Sequence, residues 1–354
     1  MAKLLDSLKV GAACTLVGAL VGQAAAQEPA ASVESEYLKN VRQVTSGFEK
    51  AGEGYFSPDG KEIIYQAVPK NYPFYQIYRQ SLEGGEPKLV STGRGRTTCA
   101  YFHPSGKKIL FASSHRDPKL SDTEAAAIRQ AEEDRKSGTR RRYSWDFDPY
   151  MDIYEADLDG KNLKPLTDAY GYDAEGAYSR DGKLIAFCSM RDGDAELYVM
   201  NADGTNLRRL THSKGYDGGP FISPDGKWII YRTDRKKPEY LQIHVIGIDG
   251  QNDTALTDTN GVNWGPYWHP TEPYIIWSGA DHSDPTKRPN YDLYLARYHV
   301  KDGKFSIDEP IRITDSPAAD VLPVFSPDGT KLMWTSTRTD DHSSQLFIAD
   351  FVLP

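Results

Sequence analysis

Phe56-Ser57-Pro58-Asp59-Gly60-Lys61-Glu62-Ile63-Ile64-Tyr65 reads as a strand, a tight turn and a second strand. Proline fixes φ at the first central position of the turn, Asp and Gly supply its polar and positive-φ positions, and apolar strand residues follow. The register returns at Phe102-His103-Pro104-Ser105-Gly106-Lys107, Tyr178-Ser179-Arg180-Asp181-Gly182-Lys183, Ile222-Ser223-Pro224-Asp225-Gly226-Lys227, Trp268-His269-Pro270-Thr271-Glu272-Pro273 and Phe325-Ser326-Pro327-Asp328-Gly329-Thr330. Six copies in phase predict six structural units.

Successive turns lie 46, 76, 44, 46 and 57 residues apart. A basic period of about 45 with two insertions is the length of a four-stranded propeller blade. Each unit continues into a third strand such as Leu197-Tyr198-Val199-Met200, a turn such as Asp203-Gly204, and an apolar-Thr pair. That pair recurs as Leu166-Thr167, Leu210-Thr211, Leu256-Thr257 and Ile313-Thr314, with Val44-Thr45 as a divergent copy. The expected fold is therefore all-β, a six-bladed β-propeller over residues 39–354. Val41-Arg42-Gln43-Val44-Thr45 matches the last strand of a blade with none before it, and Leu346 to Phe351 is a third strand with no fourth after it. The N-terminal strand is expected to complete the sixth blade and remove the exposed sheet edges.

Composition narrows the compartment and the partners. Residues 1–26 have the parts of a secretory signal: Lys3 and Lys9, an apolar run from Val10 to Val21, and Ala24-Ala25-Ala26 as cleavage site. The mature chain is expected to start near Gln27, in the periplasm or outside the cell, with 27–38 as a flexible leader. Cys14 raises lipidation, but Gly11-Ala12-Ala13 lacks the usual leading Leu and the apolar run continues past the Cys. No other stretch is apolar enough for a membrane span. The formal charge of −8 becomes −9 without Lys3, Lys9 and Asp6, which argues against nucleic acid. Cys99 and Cys188 remain, either paired or as two buried free thiols.

The 76-residue spacing places the main insertion at 115–150, in the second blade. Ser121-Asp122-Thr123-Glu124 is a capping-box signature, Ala125 to Ala131 favours helix and Gly138 sits where a helix would stop. Arg140, Arg141 and Arg142 follow, with Tyr143, Trp145, Phe147 and Tyr150. Three arginines beside four aromatics suit an anionic ligand or sugar rings. Alternatively the aromatics anchor the insertion and the arginines pair with Asp146, Asp148 and the helix acids.

The Pro-Asp-Gly turns share one face, so the connections leading into each first strand must ring the opposite mouth of the channel. Seven residues before the first turn position stand Ala51, Thr97, Asp173, Asp217, Asn263 and Asp320. With Glu53 and Glu175 nearby, Asp173, Asp217, Asn263 and Asp320 suit an acidic rim for a cation or basic peptide; the alternative is that they cap their own loops. His115, His282 and His342 fall on loops of that face with His212 on a neighbouring one, candidates for a transition metal or ordinary surface histidines. No G-x-S-x-G elbow, H-E-x-x-H pair or phosphate-binding glycine loop is present.

Laid out as F-S-P-D-G-K-x-I-x-Y, then L-Y-x-x-x-x-D-G, then L-T, residues 39–351 resemble the propeller domain of TolB and its relatives. The resemblance implies a periplasmic, six-bladed propeller without a cofactor, expected here as a monomer that binds an envelope protein or peptide. TolB carries a separate α/β domain before its propeller, where this chain has only the leader, so a role in the Tol system is not implied. Prolyl-oligopeptidase propellers are similar, but their catalytic serine lies in a hydrolase domain that has no counterpart before Pro354. Oligogalacturonate lyases resemble the repeat too, with a divalent metal held by histidines. On that alternative His115, His212, His282 and His342 are the candidate ligands, Arg140 to Arg142 meet a uronate, and the substrate is an acidic oligosaccharide.

Overall fold

The computed structural model describes residues 32–139 and 146–354, which fall in one compact unit, Ser32–Pro354. The expected signal segment lies outside the described residues, as do Arg140, Arg141, Arg142, Tyr143 and Trp145.

Six antiparallel sheets form six blades. The first runs Lys50–Phe56, Glu62–Val68, Gln76–Ser81 and Lys88–Leu89 from its inner to its outer strand. The first strands of the other five blades are Thr97–Phe102, Asp173–Tyr178, Asp217–Ile222, Gly261–Trp268 and Asp320–Phe325. In the repeated turn, Ser57 Oγ donates to Asp59 Oδ1 at 2.6 Å and accepts the Glu62 amide at 2.9 Å, while Gly60 takes φ +69°. Ser179, Ser223 and Ser326 repeat both bonds. His103 and His269 occupy the same Ser position. Their Nδ1 atoms accept turn amides at 3.0 Å, and their rings stand edge-on to Tyr178 and Phe325, each at 4.7 Å.

The apolar-Thr pair has an equally local cause. In every blade the hydroxyl accepts the amide of the second residue of the third strand: Thr45 from Leu346, Thr167 from Ile153, Thr211 from Leu197, Thr257 from Ile243 and Thr314 from Leu293. The first blade uses Ser91, which accepts from Ile77 at 3.0 Å. Val90-Ser91 is thus the sixth copy, hidden in the sequence because Ser replaces Thr.

The ring closes as expected. Leu38–Gln43 pairs antiparallel with Gln345–Phe351, making the outer strand of the sixth blade. Thr45, buried, also donates to Gln345 Oε1 at 2.8 Å. Upstream, the Val33 amide donates to Asp315 at 2.9 Å and Glu34 takes both forks of the Arg338 guanidinium at 2.8 and 3.0 Å.

Between blades the core is aromatic. Tyr65, Tyr154, Tyr231, Trp277 and Trp334 are fully buried, and each such ring removes enough apolar area to contribute roughly 4–6 kcal/mol before entropy is counted. Cys99 and Cys188 are buried free thiols.

Both insertions leave the ring intact. The helix of the second blade spans Leu120–Ser137 and ends on Gly138 at φ +68°, as expected, but it starts after Lys119 with no side-chain cap. The capping box does not form because Glu124 turns inward, where it takes Arg94 Nη2 at 2.6 Å and the Tyr72 hydroxyl at 2.6 Å. In the fifth blade the third strand, Asp292–Lys301, overshoots into a hairpin with Lys304–Ile307, and Phe305 packs on Trp228 and Trp268.

Candidate ligand-binding channel

The first strands line the channel, and two positions of the repeat decide its shape. Three residues before the first turn position stand Tyr55, Tyr101, Ala177, Phe221, Tyr267 and Val324. The four aromatics come from four blades and meet on the axis. Ring centroids lie 4.9 Å apart for Tyr55–Tyr101 and Phe221–Tyr267, and 5.8 Å for Tyr55–Phe221. The hydroxyls of Tyr101 and Tyr267 bond across the gap at 2.9 Å. They close the bore on its axis.

On the hairpin side the plug is the floor of a cavity of about 330 Å³. Its wall is made by Phe102, Tyr178, Trp268 and Phe325 with the turn prolines. Five turns carry Pro at their first position and the third carries Arg180. That side chain crosses the mouth, and its Nη1 donates to the Pro270 carbonyl at 2.8 Å.

The loop side is polar. Five residues before the first turn position, every first strand bulges through a left-handed residue: Glu53, Cys99, Glu175, Gly219, Gly265 and Leu322, with φ between +45° and +60°. Four of these carry side chains that rarely adopt that conformation, so the bulge is held by its surroundings. Glu175 accepts from the Tyr216 hydroxyl at 2.6 Å, the Gly219 amide at 2.5 Å, Arg232 Nη2 at 3.1 Å and the Tyr172 hydroxyl at 3.2 Å. Gly219 is required here: a Cβ would stand 2.0 Å from Arg232 Nη1. Burial pushes the Glu53 carboxyl up and the Cys99 thiol well up. Phe147, at the end of the helical insertion, packs edge-on to Tyr172 at 5.1 Å on this side.

The expected acidic rim is buried inside the blades. Asp173 takes Arg191 Nη2 at 2.7 Å, Asp217 takes Arg235 Nη2 at 3.0 Å, and Asp320 takes Arg338 Nη2 at 2.6 Å and Trp334 Nε1 at 2.9 Å. Asn263 accepts from Trp277 Nε1 at 3.0 Å. Each Asp is fully buried and each Arg follows the second strand, so these pairs brace the loop end rather than face solvent. The loop contacts expected instead are made by two of the four: Asp217 accepts from Ser213 Oγ at 2.7 Å, and Asn263 donates to Thr259 Oγ1 at 2.8 Å. The rim reading failed physically because a carboxylate with its own Arg in the same blade can be folded inward.

The histidines stay on separate loops. His115 takes the place that Arg191, Arg235 and Arg338 hold in other blades, with Nδ1 2.9 Å from Ser113 Oγ. Burial lowers its pKa. His282 stands between Tyr240 and Tyr291, while His212 and His342 are exposed. Among the described residues no group of three or more His, Cys, Asp or Glu side chains is placed to hold a metal ion. The residues that shape the channel, the plug and Arg180, were not singled out in the sequence. The signal was present in the repeat, as aromatics three before the turn and one non-Pro at its first position.

Fold and channel together define a closed six-bladed β-propeller with a blocked bore. It is a TolB-like one. The family described as TolB beta propeller domain matches residues 135–288. A protein TolB homolog from Chlorobium luteolum is 28% identical over 148 residues, 39% of this chain and 34% of that protein, so the match spans about a third of its length. Among solved structures, the putative TolB from Agrobacterium tumefaciens superposes with a TM-score of 0.56 at 21% identity, covering 86% of this chain and 91% of that one. An oligogalacturonate lyase from Vibrio parahaemolyticus gives a TM-score of 0.52 at 15% identity, over 84% and 76%. At these identities the structural likenesses establish the fold alone.

Proposed function

We propose that this TolB-like propeller is a non-enzymatic binding protein, exported to the periplasm with cleavage near Ala26, where its channel receives an envelope protein or peptide. The observation that carries this reading is the blocked bore: a plug of four aromatics turns the channel into a receptor with a floor. The polar groups of the loop side favour it as well. Glu175 has four donors, and a thiol as buried as that of Cys99 is a poor nucleophile. Arg140, Arg141, Arg142, Tyr143 and Trp145 are proposed as a second contact, since in sequence they lead directly into Phe147, which packs against Tyr172 on the loop side. No helix among the described residues is long and apolar enough to cross a membrane.

The test is cross-linking in intact cells followed by mass spectrometry, together with elemental analysis of the untagged mature protein. We expect one envelope protein to be captured reproducibly through the channel mouth. A stoichiometric transition metal with turnover of an acidic oligosaccharide would replace this reading by the metal-dependent lyase.

A further inference from the structure

We infer that the hairpin-side cavity is a socket for the C-terminal residue of a partner polypeptide, with Arg180 binding the terminal carboxylate and the aromatic wall receiving the last side chain. The inference rests on the binding reading above and adds a direction and a chemistry to it.

Three observations carry it. First, Arg180 is the one charged side chain among the described residues that line the cavity. It stands where the other five blades have Pro, and it forms no ion pair among the described residues; its bond to the Pro270 carbonyl uses one donor of the five a guanidinium offers. The remaining donors have no hydrogen bond among the described residues, and a guanidinium offers them as a fork suited to a carboxylate. Second, the acids of the turns form no ion pair with Arg180 among the described residues. Asp59, Asp181, Asp225 and Asp328 each accept from the turn Ser and from a turn amide, and Glu272, exposed in the fifth turn, is not paired with it either. Third, the plug gives the cavity a floor. A volume of about 330 Å³ lies at the lower end of the range for single-ligand sites. A chain can enter it but cannot pass through, which favours a chain end over an internal segment. With the carboxylate held at the mouth, the terminal side chain points down toward Tyr101, Phe221 and Trp268.

The test uses the mature protein and isothermal titration calorimetry with acetyl-Gly-Ala-Gly-Phe as free acid, as amide, and with Phe replaced by Gly. The free acid is expected to bind at least about tenfold more tightly than either control. R180Q should bring the free acid to the level of the amide, leave amide binding unchanged and melt like wild type. R180K, a point charge without the fork, should fall between. Equal binding of acid and amide, undiminished binding by R180Q, or no binding of the acid at about 1 mM would overturn the socket. So would equal affinity for acetyl-Gly-Phe-Glu-Gly-amide, whose carboxylate is internal. Should the peptides fail while R180Q still cross-links the envelope partner as wild type does, the socket is lost and the binding reading stands. Should the peptides behave as expected while no envelope partner is captured, the socket stands and the envelope assignment is lost.

Discussion

The two ends of the channel are made from the same six strands yet solve opposite problems. At the hairpin end one turn repeats, its Ser and Asp satisfying each other, and among the described residues lining the cavity there Arg180 alone is charged. At the loop end the connections differ blade by blade, and acids of the first strands are taken up in buried pairs such as Asp173–Arg191, Asp217–Arg235 and Glu175–Arg232. The difference teaches that acidic residues in the sequence are a poor guide to where charge stays available. Acids of the loop end brace the blades, while Arg180, without an ion pair among the described residues, lines the hairpin-side cavity.

If so, injury to the loop end should cost stability and injury to the hairpin end should cost binding. The largest effect is expected from deleting residues 38–43. That removes the strand opposite Gln345–Phe351 and leaves Thr45 and the Glu34–Arg338 pair without their register, so a ring open at its sixth blade is expected to lose cooperative melting altogether. A thermal transition within a few degrees of wild type would show that closure contributes little. Next comes a contrast between two single changes. Glu175→Ala strands Arg232, whose side chain is 15% exposed, and is expected to cost about 3–5 kcal/mol in urea unfolding. Arg180→Gln should stay within about 0.5 kcal/mol. Equal losses at both positions would erase the distinction between the ends.

How far the sequence reveals this follows from the same contrast. The blades, their number, both insertions and the closing strand are legible because a Pro-Asp-Gly turn and an apolar-Thr pair are satisfied within a few residues of themselves, so local chemistry carries the pattern. Val90-Ser91 escapes because one hydroxyl substitutes for another. The capping box fails because Glu124 finds Arg94 and Tyr72, partners that only the fold brings near. The acids seven before the turn look like a rim for the same reason: their arginines, some eighteen residues downstream, follow the second strand and reach back only when the hairpin closes. The plug could have been read by aligning the blades, since its four aromatics share one repeat position.

The smallest effect expected distinguishes blades within the loop end. The residue opening each third strand is Gln76, Asp152, Glu196, Gln242, Asp292 or Gln345, so three blades place an acid where three place an amide. Glu196 and Asp292 face Arg209 and Arg312 at 2.7 Å. Asp152 has the Thr167 hydroxyl at 3.2 Å and no ion pair among the described residues. Burial, then the neighbouring Asp173, with Asp168 adding and Thr167 and Arg116 opposing, pushes its carboxyl up to about 6. Folding therefore favours the protonated form. The contribution of Asp152 to stability is intact below its ordinary value of 3.8, declines as pH rises from there to about 6 and stays reduced above it. Asp152→Asn keeps the acceptor for Thr167 and removes the charge, imitating the Gln blades. It should leave the melting temperature unchanged at pH 4 and raise it by about 1–3 °C at pH 8. A fall at pH 8 would mean that the charge is used there, by Arg116 or by a ligand, and that this stretch of the loop end is more than bracing.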